Sequence, residues 1–310
     1  MRAYGRALLE RVQRVAPDVA LVPVDAPLAA LPFALRRTRA QLVHVPYLDA
    51  PPLLPRPYTA MVHDLIHLRF PALFSPATNA YWRVVATPLY RGAARLLVSD
   101  PRVADDCVRY LGVARERIRV VPLGYAEAVP DAEPWRAERP YLFYAGNHRP
   151  HKGLETLYAA WRDLPDDVAL DLVLTGPDEP AVRARYVRAH GSLTFLGEID
   201  EATLARRYRG ALAYVQPSLA EGFGIPALEA AVAATPVIAT ASSVPAIVAP
   251  YAETFAAGDA GALGALVERI ARDPSAARGR AAEGAVALRA YTWDRSAAET
   301  AAVFREVVCS

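Results

Sequence analysis

Strand-like and helix-like stretches alternate along this chain in two successive blocks, and that alternation constrains the fold more than any other feature. In the first block the apolar runs DVALVPV, QLVHVPY, TAMVHDL, RLLVSD and IRVVPLG read as strands. The helical patterns RALLERVQRVA, NAYWRVVATPLYRGAA and RVADDCVRYLG separate several of them. The text then changes to YAEAVPDAEPWRAERP, three prolines among charges, which is the composition of a connector. A second run follows: YLFYAG, GLETLYAAWRDL, DLVLTG, LTFLG, EATLARRYRGA, AYVQPS, PALEAAVAA, PVIAT and GALGALVERIARD. Strand runs spaced by helical stretches predict parallel sheets covered by helices, so the reading is an α/β chain of two halves. Ligands of open parallel sheets sit beyond the carboxyl ends of the strands, so residues that directly follow strands are the ones to inspect.

Composition narrows the partners. The 310 residues carry a net charge of +2, which gives no field for a nucleic-acid partner. Cys107 and Cys309 stand far apart and match no metal or redox spacing, so a reducing, cytoplasmic setting is expected. No run approaches the roughly 18 apolar residues of a membrane span. The opening MRAYGRALLERVQRV is an arginine-bearing helix pattern without the apolar core of a secretory signal. It reads either as a solvated face or as a peripheral contact with an anionic membrane surface.

Three stretches follow strands and carry chemistry. GNHRPHKG, residues 146–153, sets Arg149 and Lys152 beside glycines and ahead of a helix. Free helix N-terminal N–H groups together with two cations make a phosphate cradle, and a basic turn capping the helix is the alternative. The Walker spacing is absent. EGFGIPALEA, residues 221–230, places Glu221 in a glycine loop and Glu229 about one turn into a helix that Pro226 helps to start. Carboxylates accept from vicinal hydroxyls, which suits ribose or a hexose, and Gly222 and Gly224 let main-chain N–H groups approach a ligand. In MVHDLIHL, His63 and His67 have the i, i+4 spacing of a zinc pair, but Asp64 is the wrong central acid and His63 ends a strand. His63 is therefore read as a site position and His67 as structural, with no metal expected. No D-x-D pair and no GxSxG elbow occurs.

GNHRPHKGLETL, TFLGEID and AYVQPSLAEGFGIPALEAAVAATPVIAT, in this order, resemble glycosyltransferase family 4. So do VHDLIHLRFPALFSP and RIRVVPLG in the first half and YTWDRSAAETAAVF near the end, and the spacing in GNHRPHKG is most similar to bacterial mannosyltransferases. The resemblance implies the GT-B fold, two Rossmann-like domains facing each other across a cleft. It divides the chain into an N-terminal acceptor domain at 1–125 that lacks its first strand, a linker at 126–140, a donor domain at 141–290, and a closing helix at 291–310 that packs back on the first domain.

It also implies residue roles. Glu229 would bind the nucleotide ribose, and Glu221 would lie beside the donor hexose hydroxyls. Phe223, Gly224 and Ile225 would form the loop that meets the sugar and diphosphate. Lys152 and Arg149 would hold the diphosphate, and His63 would face the donor sugar. Glu221, His63, Lys152 and Arg149 would carry catalysis.

The implied activity is retaining, metal-independent transfer of a hexose, mannose first, from a GDP- or UDP-linked donor to a saccharide or lipid-linked acceptor. No cofactor is expected. Two competitors stand beside it: a catalytically weak homologue serving as a sugar-nucleotide binding or scaffolding subunit, and a metallohydrolase using His63 and His67. Two departures from the family text are Ala234, where glycine is usual and a packing change is expected, and Ala246, where glutamate is common.

Overall fold

The computed structural model describes residues 2–25, 30–47, 54–55 and 57–310. They form two compact units, 1–124 with 291–310, and 125–290.

In the first unit, β1 (Val43–Val45), β2 (Tyr58–Val62), β3 (Arg95–Val98) and β4 (Ile118–Val120) make a sheet in that order, every pair parallel. All five residues of β2 are buried, as expected of a strand covered on both faces. Ser75 caps the helix that begins at Pro76 by accepting from the Thr78 N–H, and Asp100 caps the helix after β3 by accepting from the Arg102 N–H. Each of these helices contains a π turn, Trp82–Ala86 and Cys107–Leu111. The helix Trp293–Val308 packs against Arg2–Val15 with a Tyr4–Thr300 hydrogen bond between them, and its Arg305 pairs with Asp18 in the turn that follows Arg2–Val15. At Gly124 a Cβ would meet the Trp293 nitrogen at 2.3 Å, so only glycine lets the chain pass the start of that helix.

DVALVPV does not form the expected strand. Residues 19–25 are irregular, and Val22 is 69% exposed. Pro23, next to last in the run, removes a ladder donor, and no strand among the described residues pairs with it.

The second unit holds a six-stranded parallel sheet in the order β10-β9-β8-β5-β6-β7. Its strands are β5 (Tyr141–Tyr144), β6 (Asp171–Leu174), β7 (Leu193–Phe195), β8 (Ala213–Gln216), β9 (Val237–Thr240) and β10 (Glu253–Phe255). Leu142, Tyr144, Leu172, Leu174, Val215 and Ile238 pack with Leu157 and Trp161 of the helix Leu154–Arg162 and with Leu263 and Val267 of Ala260–Arg272. Each such side chain contributes about 1.5–3 kcal/mol on burial.

After β5 the chain adds β6 and β7 on one side and then returns to place β8 on the other. The order therefore reverses between β5 and β8.

The segment 126–140, read as a linker, packs on this unit. Trp135 donates its N–H to the Arg206 carbonyl and lies under the Arg207 guanidinium, Arg209 donates to the Pro130 carbonyl, and Val129 is buried. A buried valine, a tryptophan covered by arginine guanidinium groups and these hydrogen bonds hold the segment in place despite its prolines and charges.

Candidate active site

The reversal between β5 and β8 brings two of the singled-out stretches together. Beyond β5 the chain runs through Gly146 and the turn Pro150–Lys152 to Gly153, which begins the helix Leu154–Arg162 at φ 65°. Beyond β8 it passes Pro217, Ser218 and the glycine loop to Gly224, which begins the helix Ile225–Val232 at φ 89°. The two loops touch through backbone. Leu219 donates its N–H to the His151 carbonyl at 2.8 Å, and a Cβ on Gly153 would meet the Pro217 oxygen at 2.2 Å.

Across this junction Lys152 Nζ lies 2.7 Å from Glu221 Oε1, with the two side chains only 14% and 13% exposed. Ser218 Oγ donates to the same carboxylate oxygen at 2.7 Å. The sequence gives these residues separate tasks, and the structure pairs them. Arg149 is exposed beside them in the chain, its N–H donated to Asn147 Oδ1 at 3.2 Å.

The loop after β8 is also fastened to the turn after β9. Thr240 Oγ1 donates to the Ser218 carbonyl, Ser242 Oγ to the Leu219 carbonyl, and Gln216 Nε2 to the Ser243 carbonyl. Phe223 is 5% exposed, and Ile225 is the first residue of its helix. A Cβ on Gly224 would crowd Gln216 and Pro245 at 3.3 Å.

Glu229 lies in the interior, 7% exposed. Its Oε1 accepts from the Ala126 N–H at 3.3 Å and its Oε2 from the Tyr208 hydroxyl at 3.2 Å. Burial pushes its carboxyl up to about 7 against those two bonds, which favour the charged form. Burial, then the fields of Tyr144, Glu221 and Glu229, raise the Tyr214 hydroxyl well above the ordinary range. Nothing in the text EATLARRYRGA marks Tyr208 as Glu229's partner. A tyrosine on the inner side of a helix reads as core until the sheet places it.

His63 belongs to the first unit. Its Nε2 donates to the Pro46 carbonyl at 2.9 Å, which leaves Nδ1 as the acceptor, and the ring stacks on Tyr47. Burial lowers its proton affinity, against the favourable Pro46 bond. His67 stacks on Trp82 at 4.8 Å and lies against Phe74. Among the described residues no cluster of three or more His, Cys, Asp or Glu side chains is placed to hold a metal ion. No helix among them is long and apolar enough to cross a membrane.

The arrangement as a whole has relatives. Residues 126–285 match the sequence model for "Glycosyl transferases group 1", and residues 4–128 that for "Glycosyltransferase Family 4". A phosphatidyl-myo-inositol mannosyltransferase of Mycobacterium leprae is 31% identical over 182 residues, covering 56% of this chain and 48% of that protein. The chain spans about half the length of several curated relatives that it matches. Among solved structures, sucrose-phosphate synthase from Thermosynechococcus elongatus superposes with a TM-score of 0.77 at 22% identity, over 99% of this chain and 92% of that one. Anabaena HepE in complex with UDP-glucose gives 0.64 at 17%, over 80% and 72%. Two parallel-sheet α/β units, matched over 99% of the chain by the first of these structures, are the GT-B architecture. With the group 1 model alone spanning just over half of its residues, the chain belongs to the group 1 glycosyltransferases of family 4.

Proposed function

We propose that this chain transfers a hexosyl group, mannose first, from a GDP- or UDP-linked donor to a saccharide or lipid-linked acceptor, with retention of the anomeric configuration and without a metal ion. The observation that carries the reading is the junction of Lys152 and Glu221 at the carboxyl ends of β5 and β8, the crevice position where open α/β sheets bind ligands.

Breaking the anomeric carbon–oxygen bond leaves its electron pair on the departing diphosphate. Lys152, Arg149 and the N-terminal N–H groups of the helices starting at Leu154 and Ile225 supply positive charge there as the negative charge grows. Glu221 accepts from hexose hydroxyls once Lys152 turns to phosphate. Glu229, ionised above about pH 7, accepts from the ribose hydroxyls. Acceptor attack on the face from which the diphosphate leaves retains configuration, the leaving phosphate taking the acceptor proton. The mannosyltransferase named among the relatives and the UDP-glucose held by Anabaena HepE support a sugar nucleotide as donor.

Incubation with labelled GDP-mannose, UDP-glucose and other donors, with and without EDTA, tests this. The expected result is glycosyl transfer that EDTA leaves unchanged, with an axial donor giving an axial product by NMR. Donor binding without transfer or hydrolysis would favour the scaffolding subunit instead.

A further inference from the structure

The helical stretch 76–92 of the first unit carries Asn79, Arg83 and Thr87 four residues apart, a spacing that sets them on one side of a helix. Pro88 explains the π turn in its middle. It has no N–H to give the Val84 carbonyl, and the helix widens so that the Thr87 N–H reaches back to the Trp82 carbonyl. The Thr87 hydroxyl donates to that same carbonyl at 2.8 Å. Asn79, Arg83 and Thr87 line a cavity of about 250 Å³, together with Leu68 and Pro71 from the segment after β2 and Tyr110 from the second π turn. That volume lies just below the roughly 300–1,000 Å³ of sites for drug-sized ligands and suits a single sugar ring.

The polar groups of the lining are left with unmet hydrogen-bonding capacity. Asn79 Nδ2 donates to the Pro71 carbonyl at 2.9 Å, which fixes the amide orientation, and Oδ1 is buried without a hydrogen-bond partner. Thr87 has spent its hydroxyl proton on Trp82, so toward a ligand its oxygen can only accept. Arg83 has no carboxylate partner among the described residues. Asp106, one turn before Tyr110 on the facing helix, is held by Arg69 at 4.0 Å.

Each of these groups selects a ligand feature. A guanidinium fork matches phosphate or carboxylate oxygens, and the two acceptors call for hydroxyl donors. Leu68, Pro71 and the Tyr110 ring offer apolar surface to the C–H face of a pyranose. A water would satisfy Asn79 but would leave the cation unanswered. A nucleobase would need more stacking surface than Tyr110, over whose ring the Arg109 guanidinium lies at 5.3 Å.

We propose that this cavity binds an acidic sugar unit, with its phosphate or carboxylate on Arg83 and its hydroxyls donating to Asn79 Oδ1 and Thr87 Oγ1. The site goes beyond the donor reading and uses none of its residues.

The test is isothermal titration of mannose 6-phosphate, glucuronate, mannose and inorganic phosphate into the whole chain, as wild type, Arg83→Gln, Arg109→Gln and Lys152→Met. The first two probes separate phosphate from carboxylate as the anion. At least one of them should bind more tightly than mannose and more tightly than inorganic phosphate. Arg83→Gln should weaken that binding about tenfold or more, the scale of a lost charge-assisted hydrogen bond. Arg109→Gln, which removes a neighbouring cation that does not line the cavity, should lose far less, and Lys152→Met should bind like the wild type. Arg83 is exposed and unpaired, so its variant should keep the wild-type urea midpoint.

Four results would overturn the proposal. They are acidic sugars that bind no better than mannose, wild-type affinity in Arg83→Gln, an equal loss in Arg109→Gln or Lys152→Met, and inorganic phosphate that binds as tightly as the sugar phosphate, which would mean an adventitious ion only. The sugar titrations contain no nucleotide, so they decide the proposal even in a protein that binds no UDP.

Discussion

Lys152 Nζ and Glu221 Oε1 form a mostly buried ion pair at 2.7 Å, so the cation assigned to the diphosphate is already partnered before any ligand arrives. Binding has to exchange one anion for another at the ammonium and release the carboxylate toward hydroxyls. The two residues are therefore expected to be coupled and to fail differently. Lys152→Met should lower kcat by about 10²-fold or more, the scale of a lost transition-state donor, and weaken UDP binding as well. Glu221→Gln should lower kcat while leaving UDP affinity equal to or tighter than the wild type, because Lys152 loses its competitor. A double-mutant cycle on UDP affinity, read by titration calorimetry, should give a coupling energy of about 0.5–3 kcal/mol. Strict additivity would show that the pair has no part in binding.

Glu229 trades stability for an ionisable carboxylate in the interior. Its value of about 7 against the ordinary 4.5 means that the folded state holds the proton more tightly than the unfolded state. Stability from this group is complete below about pH 4.5, declines as pH rises toward 7, and stays at its reduced level above. The total is on the order of 3 kcal/mol. Glu229→Gln removes the titration while keeping an acceptor for Ala126 or Tyr208. The variant should gain stability over the wild type as pH is raised from about 5 to about 8, and lose nucleotide affinity over the same range. Urea unfolding at each pH checks this, and a pH-independent difference between the two proteins would contradict it.

What the sequence made legible follows from how local each signal is. The strands and glycine loops of the second unit read well because each carries its own apolar run and turn residues, as in YLFYAG and AYVQPS. Glu253–Phe255 was missed because three residues show no period. The helices Pro180–Arg185 and Ser275–Leu288 were missed for want of a clear apolar stripe, the second being largely alanine and arginine. DVALVPV was misread because strand identity depends on a neighbour to pair with. At the site, residue types and their positions after strands were visible, but their partners were not. Tyr208 for Glu229 and Lys152 for Glu221 come from segments that only the fold brings together.

The first unit should be acid-sensitive through a buried histidine. His44 bonds Thr59 through Nδ1 and Tyr4 through Nε2, and burial, then the neighbouring His63, pushes it down to about 3. Its folded value lies below the ordinary 6.5, so its stabilising contribution is present above about pH 6.5 and is lost as pH falls toward 3. The slope is about 1.4 kcal/mol per pH unit for one such group. His44→Gln, which cannot take up the proton, should be somewhat less stable at neutral pH and fall off less steeply between about pH 6 and about pH 4. Equal acid slopes for the two proteins, measured by chemical denaturation, would remove His44 from the account.

Ala234 is the non-glycine residue with left-handed backbone among those described, φ 57°, and it ends the helix that carries Glu229. The hydrogen bonds around it define the cause. The Thr235 N–H reaches the Ala230 carbonyl at 2.9 Å and the Ala234 N–H reaches that of Ala231 at 3.1 Å, the paired closure of a Schellman motif, whose turning residue is usually glycine. The departure from the family text is thus a backbone strain, where the sequence reading expected a packing change. An L-residue there costs roughly 1–2 kcal/mol, and glycine's greater freedom in the unfolded chain returns about 0.4–1 of that. Ala234→Gly should therefore raise stability by about 0.5–1 kcal/mol, seen as a higher urea midpoint at unchanged slope. Ala233→Gly makes the same chemical change one residue earlier, at φ −71°, where no left-handed strain exists to relieve. That variant should be less stable than the wild type, and a gain at 233 equal to the gain at 234 would show that the backbone conformation of Ala234 is not what matters.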